Sequence, residues 1–139
     1  MSRSVELTFP AHARYLVLAR LSVAGIAPVA RLDAEQLADL KLAVTEACAN
    51  VVRHAYPDDT RGEVRLRIVV EETGLVIEVA DDGRGMDADG IAGWDPAQLR
   101  EQGMGLAIVR SVMDDVEIES PPGGGTVVRL HKSLQAAQR

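Results

Sequence analysis

Residues Leu32 to Tyr56 read LDAEQLADLKLAVTEACANVVRHAY, and the fold turns on reading Asp33 to Tyr56 as one amphipathic helix. Leu37, Leu40, Val44, Ala47 and Val51 recur at three- and four-residue intervals, making a single apolar stripe that must face a core. Asp33 can cap the start, with Gln36 completing a capping-box pair. Tyr56-Pro57 closes the run because a proline disfavours the helical region for its predecessor. Glu46, Asn50, Arg53 and His54 share a second face of this helix. Residues four apart on a helix have Cβ atoms about 6 Å apart, so a carboxylate and an amide can converge there on one ligand or metal-bound phosphate. Such a face is more often simply solvated, and the rest of the chain decides between the two readings.

Upstream, Val5, Leu7 and Phe9 alternate as a short strand that Pro10 stops. Tyr15, Leu16, Val17, Leu18, Leu21 and Val23 predict a broadly apolar helix from Ala11 to about Ala24, broken by the Gly25 and Pro28 region. Its apolar surplus suits a partner, a second copy of the chain or ordinary core packing. Downstream, Pro57 to Gly62 is a turn by composition. Val64, Leu66, Ile68 and Val70, then Leu75, Ile77 and Val79, alternate as the two strands of a hairpin with one buried face. Helices belong on that face. Residues 81–102 are rich in Gly and Asp and short of apolar side chains, which predicts a loop or lid over about 86–102, with one helical turn possible at Asp95-Pro96. Gly103-Met104-Gly105 opens a helix through Leu106, Val109, Val112 and Met113. Strands follow at Val116 to Glu119 and Thr126 to Leu130 around a glycine turn, and Lys132 to Arg139 reads as a frayed tail.

The 139 residues suit a single domain with one core, spanning 1–139. A net charge of -6 argues against a nucleic-acid partner. No signal peptide is evident and no segment approaches the roughly 20 apolar residues of a membrane helix, so a soluble cytoplasmic protein without a membrane partner is expected. Cys48 stands alone mid-helix and reads as a small buried hydrophobe, and His12, His54 and His131 show no zinc-ligand spacing.

Glycines at the ends of regular elements let backbone N–H groups approach phosphate, most of all at a helix start such as Gly103 and Gly105. GRGMDA, Gly83 to Ala88, superficially fits a dinucleotide fingerprint, but no helix opens there. The two lysines, Lys41 and Lys132, do not follow a glycine, which removes the cationic phosphate loop and the strand lysine of eukaryote-type kinases.

What remains is an ordered series: Glu46-x-x-x-Asn50 on a helix, Asp81-x-Gly83-x-Gly85 at a strand end, Gly103-x-Gly105-Leu106, and Gly125-Thr126 opening a strand. The series resembles the N box and glycine boxes of the Bergerat-fold (GHKL) ATPases. The stretches TEACANVVRHAY, EVADDGRGM, GMGLAIVRSVMDDVEIES and GGGTVVRL are most similar to the small anti-sigma factor serine/threonine kinases of the RsbW and SpoIIAB type, over nearly the whole chain.

The resemblance implies an α/β two-layer sandwich, a mixed and mostly antiparallel sheet with helices on one face. It implies ATP or ADP as cofactor, with Asn50 holding Mg2+ and Glu46 as general base for the attacking protein hydroxyl. By the same likeness Asp81 would accept from the adenine amino group and Thr126 would support it. Gly83 and Gly85, with Met86, would pass close to nucleotide, and Gly103, Met104, Gly105 and Leu106 would meet phosphates. Arg100 is the nearest basic candidate in the lid, and His54 touches phosphate or packs under Tyr56. The implied partners are a sigma factor, a STAS-type anti-anti-sigma protein that accepts the phosphate, and a second copy in a homodimer. The alternatives are a non-catalytic module gated by ATP and, last, a detached histidine-kinase catalytic domain.

Overall fold

The computed structural model of the chain describes residues 3–54, 62–83 and 107–134. The expected lid, the Asp95-Pro96 turn, the helix end at Tyr56 and residues 135–139 of the tail lie outside these. The described elements run in the order β1 (Arg3–Pro10), a 3-10 turn (Ala13–Tyr15), α1 (Leu16–Ala30), α2 (Ala34–His54), β2 (Glu63–Val70) and β3 (Gly74–Asp81). A helical segment over 107–112 follows, then β4 (Asp115–Glu119) and β5 (Thr126–Ser133).

The capping box of α2 forms as the sequence predicts. The Gln36 N–H donates to Asp33 Oδ1 at 2.7 Å, and the Asp33 N–H donates to Gln36 Oε1 at 3.0 Å. From that start the helix buries Leu40, Ala43, Val44, Ala47, Cys48 and Val51, with Leu37 packed at the margin. A fully buried Leu such as Leu40 contributes about 1.5–3 kcal/mol, so this stripe fixes how α2 lies on the sheet. Burial pushes the Cys48 thiol up to about 12, which keeps it protonated and inert.

The strands form one sheet in the order β1-β2-β3-β5-β4, and all four pairings are antiparallel, so the described sheet is not mixed as expected. Its inner face carries Phe9, Val64, Leu66, Ile68, Val70, Leu75, Ile77, Val79 and Leu130, in one core with α1, α2, Val109 and Met113. At one end of the core rows two polar residues replace hydrophobes: Asp81 and Thr126, paired across β3 and β5. At the other end Lys132 closes the layer. Its Nζ donates to the Val112 carbonyl at 2.7 Å and lies 3.9 Å from Asp39 on α2. The Ser133 N–H donates to Asp114 Oδ2 at 2.5 Å, and the Asp114 N–H to the His131 carbonyl at 2.9 Å. β5 thus grips the end of the 107–112 helix and runs past the expected strand end at Leu130, and residues 132–133, expected in a frayed tail, belong to the sheet.

α1 corrects two further expectations. It continues through Gly25 and Pro28 to Ala30, ending where Arg31 adopts φ 56, a left-handed cap. Pro28 removes one backbone donor, a side chain at Gly25 would meet nothing within 4 Å, and burial of Ile26 and Ala27 carries the helix past both. The stretch Ala13–Ala30 is also long and apolar enough, at mean hydropathy 1.4, to match a membrane span by composition. Here it buries Ala19, Val23, Ile26 and Ala27, and Val17, Leu21 and Val29 remain exposed.

The outer face is a charge ladder. Arg67 pairs with Glu78 at 3.4 Å, Glu78 with Arg129 at 2.7 Å, and Arg129 with Glu119 at 2.6 Å. The Arg129 guanidinium holds the Glu78 carboxyl below its ordinary range, partial burial opposes this, and Arg67 adds to it. A carboxylate depressed in the folded state contributes stability that is fully present above its unfolded value and lost as pH falls through its folded one. Glu78→Gln is therefore expected to lower the urea midpoint at neutral pH and to converge with the wild type in acid. A gap of constant size across that range would show that charge pairing is not the cause.

Candidate functional site

Asp81 ends β3 on the inner face and is only 4% exposed. Its Oδ1 accepts the Gly83 N–H at 2.8 Å, and the backbone N–H of Thr126 also donates to the carboxylate. Burial raises the Asp81 carboxyl above its ordinary value, and these two N–H groups pull the other way. Among the described residues the carboxylate is oriented by backbone N–H groups, and it keeps accepting capacity for a further donor.

The strand entering opposite is locked to it. Gly124 and Gly125 take φ of 101 and 84, and the Gly125 N–H donates to the Gly83 carbonyl at 3.0 Å. A Cβ on Gly125 would lie 2.0 Å from the Asp81 carbonyl oxygen. Only glycine permits this approach, and the approach sets Thr126 beside Asp81. On the outer side Arg65 holds Asp82 through two bonds of 2.7 and 3.2 Å, which steadies the strand end next to Asp81.

The second group lies on α2, which packs over β2 and β3. Glu46 and Asn50 are half-buried, one helical turn apart. Arg53 Nη2 donates to Asn50 Oδ1 at 2.9 Å and lies 3.9 Å from Glu46 Oε2. A carboxylate oxygen and an amide oxygen therefore face one positive nitrogen. The Asn50 amide oxygen is a hard donor of the kind Mg2+ takes, an ion that leaves most of its positions to water and phosphate, and the neighbouring Glu46 carboxylate stays available to accept a proton.

Of the residues expected in the site, the structure thus brings together Glu46 with Asn50, and Asp81 with Gly83 and Thr126. The side chain of His54, and Gly85, Met86, Arg100, Gly103, Met104, Gly105 and Leu106, lie outside the described residues. Two participants were named in the sequence without a role of their own: Arg53, on the same face as Asn50, and Gly125, which is a steric requirement. A second cluster was also missed. Asp115, Glu117 and His131 place one ligand atom each within 4.8 Å of one another, on β4 and β5. Cross-strand register, not sequence spacing, makes this group, and in it His131 Nε2 already lies 2.7 Å from Glu117 Oε1.

Comparison with known proteins shows the family. Residues 9–132 match the histidine kinase-like ATPase domain. The chain is 37% identical over 138 residues to a serine-protein kinase RsbW from Bacillus velezensis, covering 94% of this chain and 85% of the relative. It is 36% identical over 127 residues to the protein of the same name from Bacillus subtilis, covering 86% and 79%. Among solved structures, the RsbU and RsbW domains of a Mycobacterium tuberculosis protein superpose with a TM-score of 0.69 at 19% identity, over 94% of this chain and 31% of that one. A blue-light activated histidine kinase of Erythrobacter litoralis gives 0.61 at 25%, over 91% and 42%.

Proposed function

We propose, from the premise that this chain belongs to the anti-sigma factor serine/threonine kinases of the Bergerat-fold, histidine kinase-like ATPase superfamily, that it sequesters a sigma factor and phosphorylates a STAS-type anti-anti-sigma protein. It is an ATP-binding protein serine/threonine kinase, and the proposal concerns its partners, its metal and the residues that do the work.

The observation that carries the reading is the convergence of Glu46 Oε2 and Asn50 Oδ1 on one cationic nitrogen. With Mg–ATP bound, the nucleotide supplies a γ-phosphate for in-line transfer, and Asn50 is the residue that holds the metal. Glu46 accepts the proton of the partner's serine or threonine hydroxyl, a task for a carboxylate within hydrogen-bond reach of the attacking oxygen. Asp81, aimed by the Gly83 and Thr126 N–H groups, accepts from the adenine amino group and selects the base. Its burial strengthens that bond and excludes water from it. Gly85, Met86, Arg100, Gly103, Met104, Gly105, Leu106 and His54 complete the nucleotide's surroundings in this reading.

The exposed apolar residues Val17, Leu21 and Val29 on α1 support a chain that works against protein surfaces, a second copy in a homodimer included. Those partners place it in the cytoplasm.

The test is transfer of γ-labelled phosphate from Mg–ATP into host lysate and into a candidate STAS protein. Acid-stable label on serine or threonine of one small protein is the expected result. Acid-labile label would move the chemistry to histidine, and ATP binding without any transfer would leave a nucleotide-gated binding module instead of a kinase for this partner.

A further inference from the structure

We propose that Arg53 is a built-in cation that holds Glu46 and Asn50 together in the nucleotide-free site and competes with Mg2+ for the Asn50 amide oxygen. It is then a positioning residue that sets how much Mg2+ nucleotide binding requires. The inference rests on reading Glu46 and Asn50 as nucleotide-site residues.

Residues 46, 50 and 53 lie on one side of α2, spaced so that a long side chain from the third reaches back over the first two. The geometry uses a single atom: Arg53 Nη2 is 2.9 Å from Asn50 Oδ1 and 3.9 Å from Glu46 Oε2. Asn50 has one side-chain oxygen, and the bond to Arg53 directs it toward the same point as the Glu46 carboxylate. The bond is charge-assisted, because its donor is a guanidinium. A divalent cation approaching Asn50 Oδ1 meets a positive charge already seated there, so the guanidinium must leave as the metal arrives.

Leaving is cheap. The Arg53 side chain is 48% exposed, against 26% for Glu46. Exposed contacts of this kind are weak, and on that scale releasing one changes an equilibrium by about two- to fivefold. The arrangement therefore orders the two oxygens without closing the site. A lysine would keep the charge, but its shorter and more flexible stem would hold the nitrogen between the two oxygens less firmly.

The experiment is calorimetric titration of ADP at increasing Mg2+ concentrations, on wild type, Arg53→Gln, Arg53→Lys and Asn50→Ala, with a thermal melt of each. For Arg53→Gln the Mg2+ concentration giving half-maximal tightening of ADP should fall about two- to fivefold. Its Mg2+-free ADP affinity and its melting midpoint should not change, and Arg53→Lys should lie between it and wild type. A Mg2+ midpoint that stays fixed or rises overturns the proposal. So does weaker Mg2+-free ADP binding, which would make Arg53 a direct phosphate contact. Asn50→Ala separates the two levels. If it abolishes the Mg2+ dependence seen in wild type while Arg53→Gln leaves the midpoint fixed, the nucleotide reading stands and only the competition fails. If wild type binds no ADP, both fall.

Discussion

Replacing Glu46 by alanine should lower phosphoryl transfer to the partner roughly 10²- to 10⁴-fold, the usual contribution of a positioned general base. ADP affinity should stay within about threefold, because the one ion pair removed is partly exposed and such pairs contribute little. The separation follows from where the side chain sits. Glu46 is on α2, whose placement depends on the Asp33–Gln36 capping box and on the buried stripe from Leu40 to Val51. None of these involves the carboxylate. Its contact with Arg53, at 3.9 Å, is the ion pair it forms among the described residues, and Asn50 keeps its own bond to Arg53 at 2.9 Å. The truncation therefore removes a proton acceptor and little else. Single-turnover transfer with saturating Mg–ATP, set beside ADP titration, is the measurement. Transfer at the wild-type rate would take the base role away from Glu46, and parallel loss of transfer and ADP binding would make the carboxylate part of the nucleotide seat.

What could be read beforehand was whatever depends on local periodicity. The α2 stripe, its capping box and the alternation of β2 and β3 are short-range patterns, and each formed where the sequence places it. The failures share a cause too. Pro28 and Gly25 are helix breakers by propensity, yet burial of Ile26 and Ala27 outweighs their cost and carries the helix on to Ala30. His131, Lys132 and Ser133 carry no strand signal of their own and are ordered by what lies across from them: Val76, Leu75 and Gly74 on β3, and the end of the 107–112 helix. Site geometry divides in the same way. Glu46 and Asn50 were legible because one helix spaces them. The pairing of Asp81 with Thr126 joins residues 45 positions apart in sequence, and only the register of β3 against β5 sets them opposite each other.

That register makes Gly125 the second residue whose loss should be severe. Gly125→Ala adds a Cβ that would lie 2.0 Å from the Asp81 carbonyl oxygen, 3.0 Å from the Asp81 carbonyl carbon and 3.1 Å from the Asp82 Cα. All three are backbone atoms, so no rotamer change can make room. The residue also has φ 84, outside the range that L side chains readily adopt. Both problems are relieved only by moving the start of β5 away from the end of β3. That movement breaks the Gly125 N–H bond to Gly83 and withdraws the Thr126 N–H from the buried Asp81 carboxylate. An unfolding cost of about 2–4 kcal/mol is expected from the strain and the lost buried bonds together. ADP binding should weaken at temperatures where the variant is still fully folded, since the distortion centres on the carboxylate proposed to hold adenine. Gly123→Ala is the matched control. A Cβ there meets nothing within 4 Å, so the same addition two residues away should leave both stability and ADP binding near wild type. If the two variants behave alike in urea denaturation and in ADP titration, the close approach of Gly125 to Asp81 is not what holds this end of the sheet together. If Gly125→Ala loses stability but keeps ADP affinity while folded, the β3–β5 junction is structural and the adenine contact does not depend on how Asp81 is aimed.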